Sequence, residues 1–273
     1  MNRIDRTLKA VAASGKKILS PYLTAGDFEE GLTVKLLHAL VEGGADILEL
    51  GIPFSDPMAE GPVIQEAMQR SLANGMTLEG VFSIVEQFRR QDSVTPLVLM
   101  GYVNPIFQYG YEAFAKRATA TGVDGLIVVD LPPEEGEEFF NHCEAHSLYN
   151  IFLCSPTTTK ERMKLIISKA RGYLYYVSLK GVTGSNTFDL RQVQTQYKRH
   201  KAQTNLPMMI GFGIKTAQIA GIVASFADGV IVGAALIEHI YKTYLEKGDS
   251  IKAGRDFVKC LRGAMDTQEQ YHD

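Results

Sequence analysis

Little in this sequence could form a disulfide or hold a metal. Its three cysteines, Cys143, Cys154 and Cys260, stand far apart with no paired ligand spacing, which argues against both a disulfide framework and a zinc site. No apolar run approaches the ~18 residues of a membrane span, and the charged start Met1-Asn-Arg-Ile-Asp-Arg6 lacks the apolar centre of a signal peptide. Neither sign of charge is in large excess. A net charge of -3 and a pI near 6.1 give no electrostatic case for nucleic acid or an anionic membrane. The histidines His38, His142, His146, His200, His239 and His272 fall in helical or terminal positions and read as surface residues. The dinucleotide fingerprint Gly-x-Gly-x-x-Gly is missing after the first strand, which argues against an open doubly wound sheet. The expectation is a soluble, cytoplasmic protein that uses no metal and binds neither nucleic acid nor membrane.

What is present is an ordinary globular balance, 45% hydrophobic and 22% charged over 273 residues. That length suits one large α/β domain, since a single α/β barrel takes about 250 residues. Ile4 to Ala13 reads as an amphipathic lead-in helix, with Ile4, Leu8 and Val11 on one face. Strands are predicted at Ile18–Asp27 (a strand running into a turn), Ala45–Leu50, Pro96–Tyr102, Gly125–Asp130, Tyr149–Cys154, Tyr173–Ser178, Pro207–Gly211 and Asp228–Val232. Helical patterns lie between most of them. These include Leu32–Val41, Leu78–Phe88, Phe114–Ala120, Glu134–His146 and Lys160–Ala170, with a short helix after Gly233 and a final one carrying Phe257, Val258 and Leu261. Gly44-Ala45-Asp46, Gly122-Val123-Asp124 and Phe226-Ala227-Asp228 echo one another between helix and strand, as a repeated βα unit would require. About eight such units without a linker predict a single domain over residues 1–273, a closed parallel (β/α)8 TIM barrel with an extra N-terminal helix.

In such a barrel the chemistry sits at the C-terminal ends of the strands, with phosphate often held after the last two. Glu49-Leu-Gly-Ile-Pro-Phe-Ser-Asp56-Pro-Met-Ala-Glu60 stands at one such end. Ile47, Leu48 and Leu50 flank Glu49, and desolvation there raises a carboxyl towards the range of a general acid or base. Asp56, Glu60 and Asp130 are at the same end, whereas Asp46, Asp124 and Asp228 precede strands and read as turn or cap residues. Glycines gather on three adjacent strand ends, Gly181–Ser185, Gly211–Gly213 and Gly233-Ala234-Ala235, where backbone N–H groups can approach an anion. Tyr22, Met100, Tyr102, Ile127, Tyr175 and Phe212 also fall at strand ends, where they could close the core or sandwich a flat apolar group. From the residues alone the reading is an enzyme that acts on a phosphate ester with an apolar body, by acid/base catalysis.

Three motifs carry a resemblance: Leu48-Glu-Leu-Gly-Ile-Pro-Phe-Ser-Asp-Pro57, Gly181-Val-Thr-Gly184 and Gly211-Phe-Gly213. With Ser20–Asp27 they resemble the alpha subunits of tryptophan synthase, and the likeness runs over nearly the whole chain. The resemblance implies a barrel that cleaves indole-3-glycerol phosphate to indole and glyceraldehyde 3-phosphate. It implies Glu49 as catalytic acid/base and Glu60 as the second carboxylate, a position usually aspartate in this family. By the same likeness Tyr175 and Phe212 line the indole pocket, and Thr183 lies on a mobile loop. Gly184, Gly213 and Gly233 form the phosphate cradle, with Ala234 where serine is common. Pro53, Asp56, Pro57, Asn104 and Pro132 are implied to face a beta subunit in an αββα heterotetramer. The chain itself is expected to need no cofactor, because the pyridoxal phosphate belongs to that partner. Two other readings stay open: a chain kept as an allosteric partner with little chemistry, for which Glu60 and Ala234 speak, and another phosphate-binding barrel such as a sugar-phosphate isomerase.

Overall fold

The architecture was established from a computed structural model, which describes residues 1–178, 190–211 and 213–267. The short extended segments are β1 (Ile18–Thr24), β2 (Leu48–Gly51), β3 (Leu97–Gly101), β4 (Gly125–Val128), β5 (Tyr149–Asn150), β6 (Leu153–Cys154), β7 (Leu174–Tyr176), β8 (Met208–Ile210) and β9 (Gly229–Val232). All their pairings are parallel, in the spatial order β5-β4-β3-β2-β1-β9-β8-β7-β6. The two ends of that order are consecutive in the chain. Between them Ile151 N donates to Leu126 O at 2.9 Å and Tyr175 N to Phe152 O at 3.0 Å. The segment 149–154 is thus one barrel strand interrupted at its middle, and through it the sheet closes. The predicted continuous strand is corrected on this point only.

Helices cover the outside: α1 (Arg3–Ala13), α2 (Leu32–Glu42), α3 (Pro62–Ala73), α4 (Leu78–Arg89), α5 (Val103–Tyr109), α6 (Tyr111–Thr121), α7 (Glu137–Ala145), α8 (Lys160–Lys169), α9 (Leu190–Lys201), α10 (Ala217–Ala224), α11 (Ala234–Leu245) and α12 (Ser250–Thr267). The lead-in helix is present, capped by the Asn2 side chain on Ile4 N. The helix expected from Glu134 starts at Glu137, after a turn closed by Glu135 N on Pro132 O. The helix after Gly233 is not short but 12 residues long. Helix α3, whose Pro62 opens it at a position where no N–H is needed, has no counterpart in the periodicity argument. None of the described helices is long and apolar enough to cross a membrane.

The three echoed aspartates share one task. Asp46 accepts from Leu19 N at 2.8 Å, Asp124 from Leu97 N at 2.9 Å and Asp228 from Met208 N at 2.9 Å. Each thereby ties the start of its own strand to the start of a neighbour. Each is also paired with a cation: Arg262 on Asp46, Arg3 and Arg89 on Asp124, Lys201 on Asp228. They sit at the N-terminal ends of the strands, away from the chemistry, as turn residues should. His272 lies outside the described residues, and two of the other histidines depart from expectation. The His38 ring packs with its centroid 4.7 Å from that of Phe88, and its Nε2 is buried. His200 is buried, with its ring nitrogens 2.9 Å from Gln196 O and 3.1 Å from Thr158 O, so it joins α9 to the loop before α8 rather than facing solvent.

Candidate active site

Side chains two apart on a strand share a face, and here the inward faces stack in layers inside the barrel. Tyr22 of β1 stands beside Glu49 of β2 in register, and one layer further on Thr24, Gly51, Met100 and Ile127 line up. Glu49 is 1% exposed. Its Oε1 accepts from the Tyr173 hydroxyl at 2.8 Å and from Ser20 Oγ at 3.3 Å, while Oε2 is buried with no partner among the described residues. Tyr173 reaches Glu49 from the strand across the lumen. Burial pushes the Glu49 carboxyl from 4.5 up to about 8; the two hydroxyl donors oppose this, and the nearby Glu60 charge adds to it. The desolvation expected from Ile47, Leu48 and Leu50 is therefore realised, and those three residues are fully buried.

Glu60 lies on the loop between β2 and α3, at the barrel mouth. Its charge is felt by Tyr22, Tyr102, Tyr175 and Glu49, which places all five groups around one space. Burial raises Glu60 from 4.5 to about 7, and no donor of the described residues bonds its carboxylate. The backbone beneath it is fixed from two sides: Ala59 N donates to the Tyr102 hydroxyl at 3.1 Å, and Gln65 Nε2 donates to Glu60 O at 2.8 Å. Asp130, the other carboxylate at this end, is exposed and occupied. Its Oδ1 accepts from Val103 N at 2.7 Å and so holds the start of α5.

Two glycines exist because of the tyrosines beside them. A Cβ on Gly51 would fall inside the Tyr22 hydroxyl, and one on Gly211 inside the Tyr175 ring, whose hydroxyl donates to Gly211 O at 3.0 Å. Gly213 takes φ +82°, a left-handed conformation that disfavours any side chain. Gly233 precedes α11, and a Cβ there would sit 3.3 Å from the Tyr22 ring and 3.6 Å from Ile64. The exposed Ala234 begins that helix, so the first free N–H groups of α11 face the same end of the barrel as Glu49 and Glu60.

Glu49, Glu60, Tyr22, Met100, Tyr102, Ile127, Tyr175, Gly213, Gly233 and Ala234 thus all lie at or just inside the C-terminal ends of the strands. Thr183, Gly184 and Phe212 lie outside the described residues. Pro53, Asp56 and Pro57 are on the loop after β2, Asn104 in the first turn of α5 after β3, and Pro132 after β4, so they share one sector of the rim. Two large apolar side chains in that sector, Met58 and Phe107, are 84% and 60% exposed. Tyr173 and Ser20 were missed by the sequence argument. Their signal was the two-residue spacing to Tyr175 and Tyr22, which puts them on the same inward faces. Among the described residues no group of three or more histidine, cysteine, aspartate or glutamate side chains could hold a metal ion.

Comparison with known proteins agrees with this geometry. The family model described as "Tryptophan synthase alpha chain" matches residues 8–267. The tryptophan synthase alpha chain of Legionella pneumophila (strain Lens) is 57% identical over 266 residues, covering 97% of this chain and 98% of that one. That of Laribacter hongkongensis (strain HLHK9) is 50% identical, covering 97% and 100%. The crystal structure of tryptophan synthase subunit alpha from Legionella pneumophila str. Paris superposes with a TM-score of 0.94 at 54% identity, over 98% of this chain and 99% of that one. A chain of tryptophan synthase from M. tuberculosis in its aminoacrylate-bound form gives 0.85 at 31% identity, over 97% and 100%. A barrel with a buried carboxyl in its lumen, matched from end to end in sequence and in structure, belongs to the tryptophan synthase alpha chain family.

Proposed function

We propose that this chain cleaves indole-3-glycerol phosphate to indole and glyceraldehyde 3-phosphate, with no cofactor of its own. The observation that carries the reading is the Glu49 carboxyl, held at about 8 by burial in the lumen, in register with Tyr22 and bonded by the Tyr173 hydroxyl. Such a group is protonated at neutral pH and can give its proton to C3 of the indole ring. The positive charge that then develops on the ring nitrogen is met by the Glu60 carboxylate. Glu60 is raised to about 7 when nothing bonds to it, and an N–H donor favours its ionised form. The Glu49 carboxylate next takes the proton of the hydroxyl on the carbon attached to C3. The bond from that carbon to C3 breaks, its electron pair returns to the indole, and an aldehyde is released. The proton count closes, and Glu49 ends as it began.

Tyr22, Met100, Tyr102, Ile127, Tyr175 and Phe212 are assigned to the flat apolar body of the substrate, and Thr183 to the loop that covers it. Gly184, Gly213, Gly233 and Ala234 are assigned to the phosphate. Ala234 offers no hydroxyl, so backbone N–H groups at the start of α11 supply the contact there. The rim of Pro53, Asp56, Pro57, Asn104 and Pro132, with exposed Met58 and Phe107, is assigned to a beta subunit in an αββα assembly, which carries the pyridoxal phosphate. The chain is assigned to the cytoplasm.

The test is an indole-release assay on the purified chain, alone and with a saturating beta subunit. Slow release alone and a clear increase with the partner is the expected result, since closing a site over its substrate excludes water and completes the catalytic groups. No indole under either condition would leave the chain as a binding partner without chemistry of its own.

A further inference from the structure

Helix α3 begins two residues after Glu60, and its far end is anchored in an unusual way. Arg70 donates from Nε to Asp27 Oδ1 at 2.6 Å and from Nη2 to Asp27 Oδ2 at 3.0 Å, a bidentate pair. The Asp27 side chain is 1% exposed, so the pair is shielded from water on the aspartate side. Burial raises Asp27, and the bonds and charge of Arg70 oppose that rise. The Cζ of the same guanidinium lies over the Tyr241 ring, 3.8 Å from its centroid. Asp27 belongs to the loop after β1 and Tyr241 to α11, the helix that Gly233 opens. One side chain of α3 is therefore clasped between the first strand's loop and the helix assigned to the phosphate.

Other contacts make the joint stiff. Ser71 Oγ donates to Ala25 O, and Asn74 Nδ2 donates to Gly26 O at 3.1 Å and to Phe28 O at 3.0 Å. At the near end of α3, Ile64 lies against Gly233 and Gln65 holds the Glu60 carbonyl. Glu60 itself has no side-chain partner among the described residues, so its aim is set by the backbone that carries it. That backbone runs straight into α3, whose N-cap is the next residue, Gly61.

We propose that Asp27, Arg70 and Tyr241 are positioning residues that fix the Glu60 carboxylate relative to the phosphate helix α11. The proposal rests on the reading of Glu60 as the second carboxylate. None of the three touches the reacting atoms. Their effect is to hold α3 at a set angle, so that the seat for the phosphate end and the group that meets the indole nitrogen move as one body. Displacement of a reacting group by about 1 Å can cost on the order of a hundredfold in rate, which makes such a clasp kinetically visible.

The experiment compares wild type, Arg70→Lys, Arg70→Met and the double variant Asp27→Asn/Arg70→Met. The double variant leaves no buried charge without its partner and guards against a simple folding defect. Carbon-13 NMR of carboxyl-labelled glutamates, with Glu60 assigned by Glu60→Gln, reads its titration directly in the free chain. We expect the Glu60 midpoint, about 7 in wild type, to fall by roughly one pH unit in Arg70→Met and in the double variant as the loop admits water, with the Glu49 midpoint unmoved. Indole release should lose roughly tenfold in kcat with a smaller change in KM. Arg70→Lys, which keeps the charge but not the fork, should recover part of both. An unmoved Glu60 midpoint in folded Arg70→Met and in the folded double variant overturns the proposal, as does a fall of Glu49 and Glu60 together. Should wild type release no indole, the proposed activity fails while the titration still decides this inference.

Discussion

Glutamine at position 49 would keep the shape of the side chain and remove its titration. Tyr173 and Ser20 donate to Oε1 and can donate equally to an amide oxygen, so the variant should fold. In the unfolded chain the Glu49 carboxyl ionises near 4.5, in the folded chain near 8. Between those values the folded state holds one proton more, so stability is full below the lower value and falls as the pH climbs to the upper one. Each pH unit in the window costs about 1.4 kcal/mol, so from about pH 5.5 to about pH 7.5 wild type loses roughly 2–3 kcal/mol through this group. Glutamine loses nothing there. Urea unfolding of both proteins across that range should show the variant gaining on wild type by about that amount, with the gain levelling off above about pH 8. Groups that do not interact with Glu49 are common to the two and cancel in the difference; making the same comparison in a Glu60→Gln background removes the one carboxylate coupled to it. Parallel curves would refute the raised carboxyl. In the indole assay the same variant should lose nearly all activity, and retention of more than about a tenth of the rate, ~1.4 kcal/mol of barrier, would refute the acid/base role.

Glu60→Asp should keep substantial indole release because the charge remains, whereas Glu60→Gln should lose a factor on the order of a hundred or more, as one well-placed electrostatic contact allows. Equal activity of Glu60→Gln and wild type would remove Glu60 from the mechanism. Gly213→Asp and Gly233→Asp should each raise the Kd for the phosphate ester by adding bulk and negative charge beside it, measurable by calorimetry. Unchanged affinity in both would misplace the phosphate. Gly211→Ala should destabilise the fold by about 1–3 kcal/mol, because its methyl must displace the Tyr175 ring. Adding Tyr175→Phe should not restore it, since the clash is with ring carbon as well as with the hydroxyl, and thermal unfolding of both variants checks this.

Much of the architecture is written locally. Apolar runs flanked by glycine or aspartate announce each strand, and the i,i+4 repeats of Leu32, Leu36 and Leu40 announce the helix that covers it. The position of Asp46, Asp124 and Asp228 before their strands already separates the stabilising end of the barrel from the chemical one. A glutamate inside Ile47–Leu50 is conspicuous without any coordinates, and so are the glycine clusters after the late strands. Helix α3 and the break within 149–154 were not legible. Both depend on how the ring closes and on what packs outside it, and a short strand pattern reads alike whether or not it is interrupted. His200 was misjudged for a related reason: its helix is mostly polar, and only the neighbouring Tyr176 and Thr158 loop make its position an interior one.

What the sequence by itself determined is which residues face inward and at which end of the barrel they lie, because strand and helix periods are properties of the local chain. What only the tertiary structure decided is which of them meet. Tyr173 and Glu49 are 124 positions apart, and Arg70 and Asp27 are 43 apart. No period links such pairs. Arg70 and Asp27 meet because α3 packs beside the loop after β1. Tyr173 and Glu49 come together because a closed parallel sheet brings opposite strands within one side chain's reach across its lumen, and that same closure excludes the water that would otherwise hold Glu49 ionised.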